Sequence, residues 1–249
     1  MDEYQSMIGV ISLTMGVSWA SGINLYGAML MLGLAGVTGN VELPAGLETL
    51  ENPLVIAAAG VMYLTEFFVD KIPGVDSTWD AIHTFIRIPA GAMLAMGAVG
   101  EVTPALEVAT AILGGSMAAT SHATKAGTRL AVNTSPEPFS NWGLSLAEDA
   151  AVFAGLWAAL NHPWFFIAIM VVFFALAIWL LPKIWRGIKF IFRKIGEILG
   201  LVQKAVPVDV SDQLPESTGD NTSELARLQR LLDDHAITQD EYETLKNRL

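Results

Sequence analysis

Cysteine is absent from the chain, which excludes disulfides and thiolate metal sites and leaves the redox compartment unread. Charge is scarce: 16% of residues are charged against 53% hydrophobic, and the mean hydropathy is +0.47. Those proportions lie outside the soluble range and indicate a membrane protein. Bases are fewer than acids, 14 Lys and Arg against 25 Asp and Glu, and no basic aromatic module is present, which argues against nucleic acid as a partner. The opening Met-Asp-Glu-Tyr-Gln carries no base and no cleavage-like pattern follows it, so a cleaved signal peptide is not expected.

What is abundant is apolar sequence of spanning length. Six segments approach the roughly 20 residues that cross a hydrocarbon core. They lie near 8–36, 52–70, 79–99, 104–124, 145–160 and 163–182, the fifth being short and opening on Glu148-Asp149. The fold class expected is all-α, a six-helix transmembrane bundle over 1–182. The loops at 37–51, 100–107 and 161–163 hold no Lys or Arg, whereas Lys71, Lys125, Arg129 and the run Lys183, Arg186, Lys189, Arg193, Lys194 fall on the other side. By the positive-inside rule both termini are cytoplasmic, in a multi-pass protein of the inner membrane.

Between two of the apolar runs, Glu66 to Arg87 packs seven ionisable residues. Charge at a bilayer boundary is costly unless it has a role. Pro73-Gly74 ends the incoming helix, and Asp76 or Ser77 can cap the outgoing one, with Asp80 three residues after Ser77 as a capping-box variant. Asp76, Asp80, His83 and Arg87 then share one helical face, and Glu66 and Asp70 form a second acidic pair that a hairpin brings to the same side.

Two stretches recur. Gly27 to Gly36 matches Gly91 to Gly100 at six of ten positions, and Gly60 to Lys71 resembles Gly114 to Lys125. Two helices separate the copies, which predicts a parallel internal repeat of helix pairs, a common transporter plan. The second copy has its own charged turn, with His122, Lys125 and Arg129 at spacings of three and four, then Glu137. Ser145 and Glu148 read as a capping box for the fifth segment, with Asp149 beside them. Asn24, Ser18, Ser21 and Tyr26 add polar groups to the first segment, and Pro89 frees the carbonyl of Phe85 within the third.

Beyond the bundle, 183–204 reads as a basic amphipathic juxtamembrane helix with Ile184, Ile188, Ile191, Ile195, Ile198 and Val202 on one face. Residues 205–223 are polar and proline-broken, as a flexible linker should be. Residues 224–249 form a helical hairpin. Leu225, Leu228, Leu231 and Leu232 line its first helix, 233–236 turn the chain, and Thr238 with Glu241 caps a second helix that turns Tyr242, Leu245 and Leu249 inward. So small a unit buries little core alone, so it is expected to form a homo-oligomer or dock a partner protein.

The tail, through Leu-Leu-Asp-Asp-His-Ala-Ile-Thr-Gln-Asp-Glu-Tyr-Glu-Thr-Leu-Lys, resembles the SHOCT short C-terminal domain, which implies oligomerisation or docking rather than chemistry. Most of 10–182 resembles a bacterial membrane family of unknown function. The resemblance lies in Gly-x-Asn-Leu-Tyr at 22–26, Asp70-Lys-Ile-Pro73, Trp79-Asp80-x-x-His83-Thr84 and Asn133-x-Ser-Pro-Glu-Pro138, and it implies no activity.

The function expected is transport of an ion or small solute along a path made by Glu66, Asp70, Asp76, Asp80, His83, Arg87, His122, Lys125, Arg129, Asn24, Glu148 and Asp149. Asp80, His83, Glu66 and His122 are candidate ligands for a metal ion, and His83 alternatively relays protons. The competing reading of each residue is structural, with buried pairs such as Asp80 to Lys125 or Asp70 to Arg129 pinning the helices together. A non-transporting scaffold that recruits through its tail is the alternative function. No cofactor is expected, and no enzyme: Ser121 and His122 are adjacent and do not face each other, and no His-Glu-x-x-His or phosphate-cradling loop occurs.

Overall fold

The computed structural model describes residues 2–72, 74–133, 138–198, 221–233 and 237–247. Two compact units divide the chain, Met1–Ile195 and Gly196–Leu249. Every regular element among the described residues is helical: α1 Asp2–Val37, a short 3-10 turn Ala45–Glu51, α2 Pro53–Val69, α3 Val75–Val99, α4 Pro104–Val132, α5 Pro138–Asn161, α6 Pro163–Ile198, α7 Asn221–Asp233 and α8 Gln239–Lys246.

Local chemistry starts several of these helices. Pro53, Pro104 and Pro163 stand in the first turn, where a missing N–H costs nothing. The Asn52 side chain caps α2 by accepting from the Leu54 N–H at 2.9 Å. The α3 start differs from the expected one: its N-cap is Gly74, at φ 85°, with no side-chain cap. Asp76 folds back instead, accepting from the N–H groups of Gly74 and Ser77, so the Ser77/Asp80 box does not form. Pro73, the other half of that turn, lies outside the described residues.

Among the described residues four helices are long and apolar enough to cross a membrane: Glu3–Val37, Val75–Val99, Phe139–Asn161 and Pro163–Gly187. The Ala45–Glu51 turn and α2, bent by 70°, make a fifth if the pair is one span. The protein is thus a multi-pass membrane protein. The count of six spans is not reached because α4 carries Glu107, Lys125 and Arg129 among seryl and threonyl residues, and its length does not make up for that polarity. Large apolar side chains exposed on the outside, among them Leu54, Phe85 and Phe139, suit contact with lipid.

Helix α1 is the axis of the first unit, with α2, α3, α4 and α5 all packed on it. Small residues allow the close approach. A Cβ on Gly114 would lie 2.3 Å from the Ala95 Cβ, and one on Gly22 would lie 1.9 Å from the Ser121 Oγ. Val17, Ala20, Leu32, Val152 and Leu156 fill the apolar core, and Trp19 meets Phe166 and Phe173 of α6 edge-on. The Pro182 position interrupts nothing, since α6 runs through it from the apolar run into the basic one. The side chains of the isoleucine face from Ile184 onward, and residues 199–204, lie outside the described residues, as does the linker over 205–220.

In the second unit Thr238 and Glu241 form the expected capping box at the start of α8. Tyr242 is buried and donates its hydroxyl hydrogen to the Gln229 Oε1 of α7 at 2.8 Å. The α7 leucines are half-buried, while the turn at 234–236 and Leu249 lie outside the described residues.

Candidate functional site, a buried charge network

The network begins with a break in α1. Asn24 has φ −143° and ψ 89°, far from helical values. Its Oδ1 accepts from the Gly27 N–H at 2.8 Å, taking the place that the Ile23 carbonyl would hold in a regular helix. The released Ile23 oxygen accepts from the Lys125 Nζ at 2.9 Å. Irregular backbone at membrane depth needs a partner of this kind, because no water is there to satisfy it. The Asn24 Nδ2 donates to the Asp149 Oδ1 at 2.8 Å, tying the break to α5.

Lys125 is the hub. Besides Ile23 it meets Glu66 at 2.9 Å, Asp70 at 3.0 Å, and Asp80 and Glu148 at 3.7 Å each, with its side chain 1% exposed. Arg87, wholly buried, places Nη2 on the Glu66 Oε1 and Nη1 on the Asp80 Oδ1 at 3.0 Å. Arg129, also buried, binds the Asp70 Oδ2 at 2.9 Å, the Asp70 carbonyl at 2.8 Å and the Glu148 carboxylate, with Asp76 at 3.6 Å. Asp76 also accepts from the Asn133 Nδ2, whose own Oδ1 accepts from Asn141 at 2.6 Å. The turn residue Glu137 lies outside the described residues.

His122 joins through Thr84, 2.7 Å from its Nε2, while its Nδ1 lies 3.2 Å from the Arg87 Nη1 and 3.3 Å from the Gly22 carbonyl. His83 is buried beside the network. Its Nδ1 bonds the Trp79 carbonyl at 2.9 Å and its ring stacks on Trp79 and meets Tyr26 edge-on. Among the described residues no three His, Asp or Glu side chains converge as a metal-ion site. The candidate ligands Glu66 and Asp80 are instead engaged by Arg87 and Lys125. The pairs Asp80 to Lys125 and Asp70 to Arg129, read from the sequence as structural alternatives, are both formed.

The structure thus gathers Glu66, Asp70, Asp76, Asp80, Glu148 and Asp149 around Arg87, Lys125 and Arg129. Acids outnumber bases, and one oxygen each of Glu66, Asp70, Asp80 and Asp149 is buried without a hydrogen-bond partner. In a low-dielectric interior such a surplus is stabilised by a cation or by protonation. A cavity of about 130 Å³ opens beside it, with Thr124, Lys125, Thr128 and Glu148 in its lining.

Sequence reasoning missed the backbone break and the burial of Asn141 and Ser145 within α5. The expected Ser145 cap does not form: α5 begins at Pro138, so Ser145 lies inside the helix and Glu148 is free to reach Arg129. The visible signal was the spacing 141, 145, 149 of polar residues in an apolar helix. The lysines that close the two similar stretches have different surroundings: Lys125 is the hub, whereas Lys71 lies over the Phe67 ring and bonds the Phe67 carbonyl.

Residues 11–183 match the family described as Domain of unknown function (DUF4126), and the chain belongs to that family. No curated protein and no solved structure matches it.

Proposed function

We propose that this member of the DUF4126 family is a transporter or channel for a small cation, using the buried charge network as its path. The observation that carries the reading is the excess of carboxylates over bases around Lys125 at a broken helix. Discontinuous helices whose freed carbonyls face charge are a recurring device of membrane transport. An arriving cation competes with Lys125 for Glu66 and Asp70, and the lysine can move among its other oxygens without leaving any carboxylate bare. The cavity at Thr124 and Glu148 is the side from which the network is reached.

In this reading the protein sits in the inner membrane with both termini cytoplasmic, following the distribution of Lys and Arg. The sequence repeat reflects a duplicated helix pair, the SHOCT-like tail assembles copies of the chain or recruits a partner, and the protein performs no catalysis. The half-buried leucines of α7 favour such docking. They equally suit a scaffold that does not transport.

The test is uptake into proteoliposomes, screening alkali and divalent cations and protons, with Asp80→Asn and His83→Ala on protein of verified fold. Flux of a cation that Asp80→Asn abolishes is the expected result. No flux of any species, with the tail still driving assembly, would replace transport by the scaffold.

A further inference from the structure

Three oxygens on α5 have no assigned role. Asn141, Ser145 and Asp149 recur at every fourth position, so they stand on one face of the helix. All three are buried, Asn141 and Ser145 to 1% exposure. The Asn141 Oδ1, the Ser145 Oγ and the Asp149 Oδ2 each lack a hydrogen-bond partner. Buried polar atoms in native proteins are almost always satisfied, and those that are not mark an ion, a water or a functional site.

The column has an oxygen counterpart at the end of α2, where the Glu66 Oε2 and the Oδ1 of the C-cap Asp70, four residues apart, are buried and unpartnered as well. Tyr63 of α2 packs edge-on against Phe153 of α5, at 5.7 Å between centroids, and the Trp142 Nε1 of α5 donates to the carbonyl of Lys71, just past α2. At one end of the column Asn141 bonds Asn133, which holds Asp76. At the other, Asp149 bonds Asn24 at the break in α1.

From this placement we infer that the Asn141, Ser145 and Asp149 column is a binding track for a small hard monovalent cation, sodium or hydronium, running from the α3 N-terminus to the broken segment of α1. The donors are all oxygen, which suits hard cations and not soft ones. A divalent ion is a poorer match, since the carboxylates are spread among three bases rather than gathered around one point. The amide and hydroxyl oxygens give the track dipoles without further charge, so that an ion can both enter and leave. The assignment deepens the transport reading and rests on it for the movement of the ion, though not for its binding.

The test uses the full-length protein. Ser145→Ala removes an oxygen that bonds nothing, so a merely structural serine predicts an unchanged or higher Tm. Thermal unfolding in nanodiscs is followed as sodium replaces choline at constant ionic strength, and proton flux is followed in sodium-free proteoliposomes. If sodium is the ion, sodium raises the wild-type Tm and Ser145→Ala shifts the midpoint of that effect upward by about tenfold, the scale of one lost oxygen contact. Asn141→Asp, which keeps an oxygen in place and adds charge, shifts it downward. If hydronium is the ion, proton flux falls by about tenfold in Ser145→Ala with no loss of Tm.

A wild type indifferent to sodium, together with proton flux that Ser145→Ala leaves unchanged, overturns the track. Flux abolished by Asp80→Asn but untouched by Ser145→Ala overturns it too while leaving transport standing. Sodium binding that Ser145→Ala weakens, without flux of any ion, keeps the track and removes transport.

Discussion

Glu66 and Arg87 are separated by 21 positions and stand in direct contact, both wholly inaccessible to solvent. Arg87 spends the other arm of its guanidinium on Asp80, so one side chain joins α2 to α3 and closes the turn between them.

Removing one member of such a pair leaves an uncompensated buried charge. Arg87→Ala is expected to destabilise the protein by about 3–5 kcal/mol. Replacing Arg87 and Glu66 together by leucine should recover much of that loss, although Lys125 then loses one of its oxygens. Thermal unfolding of both variants checks this. A single variant as stable as the wild type would mean the contact carries no weight.

The break at Asn24 makes a second expectation. In Asn24→Ala the Gly27 N–H loses the side-chain oxygen and can return to the Ile23 carbonyl, which Lys125 then forfeits. Asp149 also loses its one hydrogen bond to Asn24. The cost is about 1–3 kcal/mol. In the transport assay flux should fall further than stability does.

Close approach of α1 and α4 gives the third. A Cβ on Gly22 would lie 2.3 Å from the Ala118 carbonyl oxygen, which is backbone and cannot swing aside. Gly22→Ala should cost about 1–3 kcal/mol. Gly9→Ala, where a Cβ meets nothing within 4 Å, is the control and should stay within about 0.5 kcal/mol of wild type. Equal Tm values for the two variants would contradict the packing of α1 on α4.

The tail offers a pH-dependent readout. Glu241 accepts from the Thr238 N–H at 2.8 Å and from its hydroxyl at 2.9 Å, and those bonds hold its carboxyl below the usual glutamate value. A lowered carboxyl contributes stability that is present above its unfolded value and is lost as pH falls through the folded value. Acidification through that window should fray α8, seen as loss of amide protection at residues 239–246. Glu241→Gln should show no such loss over the same window.

Much was legible in the residues themselves. Absent cysteine, sparse charge and long apolar runs set the class, and Thr238 with Glu241 marked where α8 begins. Helical periodicity placed Asp76, Asp80 and Arg87 on one face, which the structure buries. These are local properties, set by a repeat of 3.6 residues and by caps within one turn, so a single sequence reports them.

Beyond the pairs Asp80 to Lys125 and Asp70 to Arg129, which acid meets which base was decided only by tertiary structure. Arg87 could equally have paired with Glu148, or Lys125 with Asp76, until glycine-mediated contacts such as Gly114 on Ala95 set the rotation and height of each helix. The break at Asn24 belongs to the same category. Its side chain competes with the backbone for one N–H, and that competition is resolved by the Lys125 ammonium waiting for the released carbonyl and by Asp149 for the amide. No local pattern contains either partner, because both come from helices more than 100 residues further along the chain.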